Sequence, residues 1–352
     1  MNRPKLQILS VMAIVAALLL LAAPVAAKGE RVLRVGTGQE YATIQAAVDD
    51  ARPGSKILVY PGSPFYFETV TVRTDNLEIL AQGVGVAVKA GTDIACFDVK
   101  ADYVVIRGFD LTGPMLASGI RFEGRHNTFA DNTIHDLSGP GVNALSCRDA
   151  DGGSNHNKIL NNAISGADLG IAITAGGPSM PDAVNKGNTI KGNVIEGSGQ
   201  VAIAVENAVG FEISDNRIIG ASFGSCVNME IYPGSRVAQR HHRILRNQMV
   251  NCAGNGIDIN AGDGIFETNE ISGNDISFAS CGISLDSAPS ASLIGNLIRA
   301  NHVTQNQAAG ICLGYGANRN KVFANEASNN FGDGIVAQGD HLSLIHISEP
   351  TR

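Results

Sequence analysis

Tryptophan is absent from the 352 residues, and aromatic side chains make up only 5% of them. A core with so few large rings must be filled by stacked Ile, Val and Leu. Charge is also scarce, at 17%, against 44% hydrophobic residues, which excludes a mostly disordered chain. Basic residues are outnumbered, 26 to 33, so clustered Lys and Arg for nucleic acid are lacking. The same acidic balance disfavours a polyanionic glycan, unless a local basic patch or bridging Ca²⁺ reverses the field. No Cys-x-x-Cys occurs among the six cysteines, which argues against a zinc site. What is plentiful is glycine, with 41 residues, and so turns. Many turns around a small-residue core favour a solenoid over a sandwich or an α/β enzyme.

Long apolar runs are lacking after the N-terminus. Arg3 and Lys5 precede an apolar stretch, 8–21, broken only by Ser10, and Val25-Ala26-Ala27 follows. This is the pattern of an export signal over 1–27. Its removal takes away two basic residues and no acid, so the net charge of −7 becomes −9. The expectation is a secreted or periplasmic monomer with no membrane span after cleavage. Export permits disulfides. Cys252 and Cys281 fall in neighbouring repeats and are candidates for a pair, with buried free thiols as the alternative.

The repeat carries the fold. Phe129-x-x-Asn132-x-Ile134 recurs as Ile159-x-x-Asn162-x-Ile164, Ile190-x-x-Asn193-x-Ile195 and Ile213-x-x-Asn216-x-Ile218. It continues through Asn247, Asn274 and Asn301 to a weaker copy at Asn325. The Asn-to-Asn spacings are 30, 31, 23, 31, 27, 27 and 24. Most copies carry a second short strand, such as Gly170-Ile171-Ala172-Ile173 or Gly256-Ile257-Asp258-Ile259. Alternation of period two means strand with one face buried. Three short strands per repeat make one coil, and coils stack roughly 4.8 Å apart, so about ten would span roughly 50 Å. The fold class is therefore all-β, a single-stranded right-handed parallel β-helix of about ten coils. The repeated Asn reads as scaffold, bonding the bend and the next Asn.

Tyr41 to Ala51 reads as a capping helix with Ile44, Ala47, Val48 and Ala51 on one face, followed by strands Ile57-Leu58-Val59 and Val70-Thr71-Val72. The expected divisions are signal 1–27, cap and first strands 28–76, coils 77–340 and a tail 341–352. The tail matches no repeat and resembles translated adapter sequence, as if the natural end were missing.

Gly36-Thr37-Gly38, Ala42-Thr43-Ile44-Gln45-Ala46-Ala47-Val48, Pro53-Gly54-Ser55-Lys56-Ile57 and Pro61-Gly62 resemble the opening of pectin-lyase-like β-helix proteins. With the Asn and Gly-Ile repeats, the resemblance covers nearly the whole mature chain. It is specific for fold and weak for chemistry, since that superfamily holds lyases, hydrolases, epimerases, surface proteins and a metalloenzyme maturation factor. It implies that the Asn bend joins a coil's second and third strands, and that the outer face of the Gly-Ile strand carries any cleft.

Outward positions on that strand, the third and fifth, include Glu206, Asn228, Glu230, Asp258, Asn260 and Asp286. Tyr232 follows Glu230 and offers a ring for a sugar. Long loops at 146–156, 175–187 and 231–242 are expected to border this face. The last, with the residue after it, holds Arg236, Arg240, His241, His242 and Arg243. Glu230 and Asp258, one coil apart and offset by two residues, would stand about 8 Å apart. That separation suits an inverting glycosidase, roughly 6.5–9.5 Å. A lyase would instead use Ca²⁺ held by acids and a base from Arg240, Arg243 or His242. The candidate catalytic residues are Glu230, Asp258, Asp286 and His242, and the candidate substrate-binding residues are Glu206, Asn228, Tyr232, Arg240, Arg243 and Asn260. The partner would be a polysaccharide, with Ca²⁺ as candidate cofactor and its ligands unassigned. The Asp149, Asp151 and Gly152-Gly153 loop lacks the spacing of a Ca²⁺ motif and reads as an ordinary turn.

Family motifs are missing. The only adjacent Asp pair, Asp49-Asp50, lies in the helix, and Gly-His-Gly, Asp-Pro-His-Asp and Arg-x-x-Pro-x-x-Arg do not occur. No catalytic residue transfers by resemblance. Two readings stay open: a polysaccharide lyase or glycoside hydrolase, and a non-catalytic glycan- or surface-binding protein or periplasmic accessory factor.

Overall fold

The fold is seen in a computed structural model that describes residues 31–114, 116–144, 153–338 and 343–345. The expected signal at 1–27 and the Asp149–Asp151 turn lie outside the described residues. The chain divides into Met1–Arg31 and Val32–Arg352, and every element below belongs to the second unit.

Each coil contributes short strands to three parallel sheets, of 13, 11 and 11 strands. The first sheet takes the strand before each repeated Asn, the second takes the strand after it, and the third takes the Gly-Ile strand. The Asn bend therefore joins two strands of a coil, as expected. The sheets begin before residue 77: Val32–Val35 pairs with Lys56–Val59, and Tyr66–Phe67 and Val70–Val72 open the other two. Ser343–Ile345 pairs with Lys321–Phe323 as the last strand of the first sheet. Ile190, Ile213, Ile244, Ile271, Ile298 and Val322 lie in one register column and are all buried. Stacking of like aliphatic side chains fills this column, while Phe97, Phe109, Phe122, Phe129, Phe211 and Phe266 are also fully buried in the core.

The capping helix spans Ile44–Asp50 and buries Ile44, Ala47 and Val48. It starts at Thr43, whose hydroxyl accepts from Ala46 N at 3.2 Å. The Glu68 carboxylate accepts from Ile44 N and Gln45 N, both at 2.9 Å. These satisfy three amides of the first turn that have no partner within the helix. Among the described residues, no helix is long and apolar enough to cross a membrane.

The scaffold Asn residues form a ladder. From Asn132 to Asn301, each backbone N–H donates to the Oδ1 of the next Asn at 2.9–3.0 Å. Each amide reaches back as well: Asn162 Nδ2 donates to Phe129 O at 3.0 Å. Buried amides are thus satisfied in both directions. A second ladder stands five residues earlier in six of the eight coils, at Asn127, Asn157, Asn188, Asn269, Asn296 and Asn320. The Gly of the Gly-Ile strand marks a close approach. A Cβ on Gly256 would lie 2.3 Å from Ile276 Cγ2 and 2.6 Å from Gly282 O.

Two features differ from the sequence reading. A fourth parallel sheet of six strands, from Asn185–Lys186 to Ala317–Asn318, stands between the Gly-Ile strands and the first sheet. Cys252 and Cys281 do not pair with each other. Cys226 joins Cys252, and Cys281 joins Cys312. Cys96 is a buried free thiol, pushed up to about 12 by burial.

Candidate active site

Strand pairing fixes the outward rows. Ala204, Asn228, Asp258, Ser284 and Cys312 stack in one row, and Glu206, Glu230 and Asn260 in the next. Asn143, one coil after Arg121, also belongs to the first row and was missed because Val142–Ala144 lacks the Gly-Ile-x-Ile pattern. Glu230 is directly beside Glu206 and diagonal to Asp258.

These acids sit in different surroundings. Asp258 is partly buried, accepts from Asn255 Nδ2 at 3.0 Å, and lies 3.5 Å from the Ser225 hydroxyl, which donates to it. Burial raises its pKa, and the charges of Glu230 and Asp286 add to the rise against those hydrogen bonds. Burial, with the charge of Glu230, pushes Glu206 up to about 7. Glu230 is exposed and accepts from Asn228 Nδ2 at 2.9 Å. The Asp286 carboxylate lies over Gly314, where an added Cβ would come 2.1 Å from Oδ1.

The strip is concave. A pocket of about 340 Å³ is lined by Glu230, Tyr232, Asn260 and Asp263. One of about 320 Å³ shares Asn260 and adds Asp258, Ser284 and Asp286. A third, of about 330 Å³, shares Asp286 and ends at Cys312 and Gly314. Through the shared Asn260 and Asp286 they make a shallow, open groove across successive coils, deepest beside Tyr232.

Arg240, His242 and Arg243 do not join it. The loop after Glu230 leads into the fourth sheet, so Arg240 ends its strand Ala238–Arg240 there, 3.8 Å from Glu267. The chain then turns again, and Arg243 opens a strand of the first sheet, 3.1 Å from Glu212. His242 occupies the corner between them and is 1% exposed. It stands in the second ladder where other coils have Asn: its N–H donates to Asn269 Oδ1 at 2.8 Å, and Nδ1 accepts from Phe211 N at 3.2 Å. Nε2 then carries the proton and donates to Ala208 O at 3.1 Å. Burial drives its pKa down to about 3. The expectation that His242, Arg240 and Arg243 line the acidic face is corrected: two turns of the coil carry them to other sides. Among the described residues, no three acidic, His or Cys side chains converge to hold a metal ion. Glu230, Asp258 and Asp286 are strung along the groove instead.

The described part of the 146–156 loop, like residues 185–187, leads toward the first sheet. Residues 176–183 and 231–235 stand together beside Glu206 and Glu230.

Comparison with known proteins agrees with this architecture. The family described as "Right handed beta helix region" matches residues 118–298 and 185–347. No curated protein matches the sequence. Among solved structures, the Dettilon tailspike protein is similar with a TM-score of 0.56 at 13% identity, over 86% of this chain and 68% of that one. The catalytic domain of a GH87 α-1,3-glucanase, in complex with nigerose, gives 0.54 at 13% identity, over 93% and 69%. The A-module of the Azotobacter vinelandii mannuronan C-5 epimerase AlgE6 gives 0.51 at 14%, over 88% and 95%. At these identities the likeness is one of fold. With three stacked parallel sheets and a family match across more than half its length, the chain belongs to the right-handed β-helix family.

Proposed function

We propose that this is an exported glycoside hydrolase that binds a chain glycan along the groove of the Gly-Ile face. The observation that carries the reading is the diagonal pair Glu230 and Asp258, in contrasting surroundings where two surface depressions adjoin at Asn260. Strand geometry separates them by about 8 Å, which leaves room for a water between carboxyl and sugar. Asp258, the more buried of the two, with its pKa raised by burial, is the general acid and gives its proton to the glycosidic oxygen as the bond to the anomeric carbon breaks. Glu230, held by Asn228 and open to solvent, takes a proton from the water that attacks that carbon from the opposite side. Glu206, Asn260 and Asp286 extend the polar floor for sugar hydroxyls, and Tyr232 supplies a ring.

The lyase alternative has less support. Its base was expected from Arg240, Arg243 or His242, which lie on other sides of the coil. The GH87 α-1,3-glucanase and the mannuronan epimerase, which share the fold, are named for chain glycans. The N-terminal signal pattern supports export.

The test is incubation of the chain with a polysaccharide panel, with and without Ca²⁺, scored for new reducing ends and for ultraviolet-absorbing unsaturated ends. New reducing ends alone are expected, and Glu230→Gln and Asp258→Asn should each lower the rate by about 10²-fold or more. Unsaturated ends would mean a lyase. Glycan binding without product would leave a non-catalytic binder.

A further inference from the structure

The coil lengths around the groove are uneven. The ladder Asn spacings run 31, 23, 31 from Asn162 through Asn193 and Asn216 to Asn247. In the short coil a single residue, Asn207, connects the Gly-Ile strand Ile203–Glu206 to the fourth-sheet strand Ala208–Val209. The long coils on either side insert 174–184 and 231–237 at the same place. The two insertions meet over the short coil.

Asn207 joins them. It is fully buried and adopts a left-handed backbone, φ 45°, which asparagine tolerates better than most residues. Its Nδ2 donates to Pro181 O at 2.7 Å and Ala183 O at 3.1 Å in the first insertion. Its Oδ1 accepts from Tyr232 N at 2.9 Å in the second. Asp182 adds an outer tie, with Oδ1 accepting from Arg236 N at 2.6 Å. Gly176 packs so closely that a Cβ there would lie 2.9 Å from Tyr232 Cβ and 2.8 Å from Asn207 Nδ2. Tyr232 and the residues after it form the wall of the pocket that Glu230 floors.

We propose that Asn207 is a positioning residue for the sugar subsite beside Glu230: it holds the Tyr232 wall in place by bonding both insertions through their main chains. This rests on the glycan reading above. Asn207 touches no sugar itself, and it sets where Tyr232 stands. Three hydrogen bonds from one side chain, one of them fully buried and two partly buried, are enough to shift a subsite affinity by about tenfold.

The experiment compares the full chain with Asn207→Gly, which keeps the left-handed backbone and removes all three bonds, and with Asp182→Ala, which removes the exposed tie. Limited proteolysis reads the tie without any sugar. Calorimetric titration with cellohexaose, laminarihexaose and hexagalacturonate reads the subsite, and kcat on the best substrate separates positioning from chemistry. In Asn207→Gly, cleavage within 177–182 and 233–237 should accelerate about tenfold. The dissociation constant should rise about tenfold, with kcat within about twofold of wild type. Asp182→Ala should fall between the two. Unchanged cleavage in Asn207→Gly would overturn the tie. Faster cleavage with unchanged affinity would overturn the positioning role. Should Asn207→Gly fail to fold, Asn207→Asp, which keeps the bond from Tyr232 N and removes the two donations to Pro181 O and Ala183 O, takes its place, and unchanged affinity there would overturn the proposal. A wild-type chain that binds none of the three sugars would remove the glycan reading and this role with it, while the cleavage pattern still reports on the tie.

Discussion

His242 donates its backbone N–H to the side-chain oxygen of Asn269 at 2.8 Å, and its own Nδ1 accepts from Phe211 N, the bond an asparagine Oδ1 makes in the neighbouring coils. The imidazole is a ladder rung, neutral and sealed between Phe211 and Phe266.

The rung makes the fold sensitive to acid. Burial lowers the His242 pKa from 6.5 to about 3, so below 6.5 the unfolded chain takes up a proton that the folded chain refuses. Stability is therefore expected to fall as pH drops from 6.5 toward 3, with an upper bound of about 5 kcal/mol. His242→Asn should restore the ladder and flatten this limb, with hydrolysis unaffected. Melting temperatures from pH 3 to 8 check it, and a wild-type limb that survives the substitution refutes the assignment.

Glu206 acts in the opposite direction. Burial and Glu230 raise its pKa from 4.5 to about 7, so the folded chain holds a proton that the unfolded chain releases. That stabilisation is full below 4.5 and is lost as pH rises through 7. Glu206→Gln keeps the neutral form at every pH. Its melting temperature should match wild type at pH 4 and exceed it at pH 8, and denaturation curves at the two pH values decide.

Gly314 leaves room for the Asp286 carboxylate. Gly314→Ala places a methyl 2.1 Å from Oδ1 and must push that side chain aside. Weaker oligosaccharide binding is expected, by about three- to tenfold, as one polar contact is displaced. Binding equal to wild type would remove Asp286 from the substrate path.

The two disulfides tie neighbouring coils. Cys226 and Cys252 are 26 residues apart, and Cys281 and Cys312 are 31 apart. Chain-entropy estimates for closed loops of this size give about 3.5 kcal/mol each. Cys226→Ser with Cys252→Ser should lower the urea midpoint, and thiol titration of the denatured, unreduced wild type should leave both pairs unreactive.

Much of this was legible in the chain. Period-two alternation decides which side chains point outward, because successive Cβ atoms must alternate across a strand. The rows of Asn228 and Asp258, and of Glu206 and Glu230, followed from that alone. The second ladder was legible too, since position −5 from each ladder Asn reads Asn except at Phe211 and His242. His242 keeps that phase although its neighbours in sequence are basic.

The sequence by itself determined the coil, its ladder and the inward and outward faces, because these repeat with the backbone's own period. Only the tertiary structure decided where each coil turns its corners. A loop of a dozen residues carries no period, so nothing local says that Arg240 leaves the face that Glu230 occupies. Cysteine partners likewise depended on corners, as did the meeting of two insertions over Asn207. Those contacts join residues one or two coils apart, and they exist only once the coils are stacked.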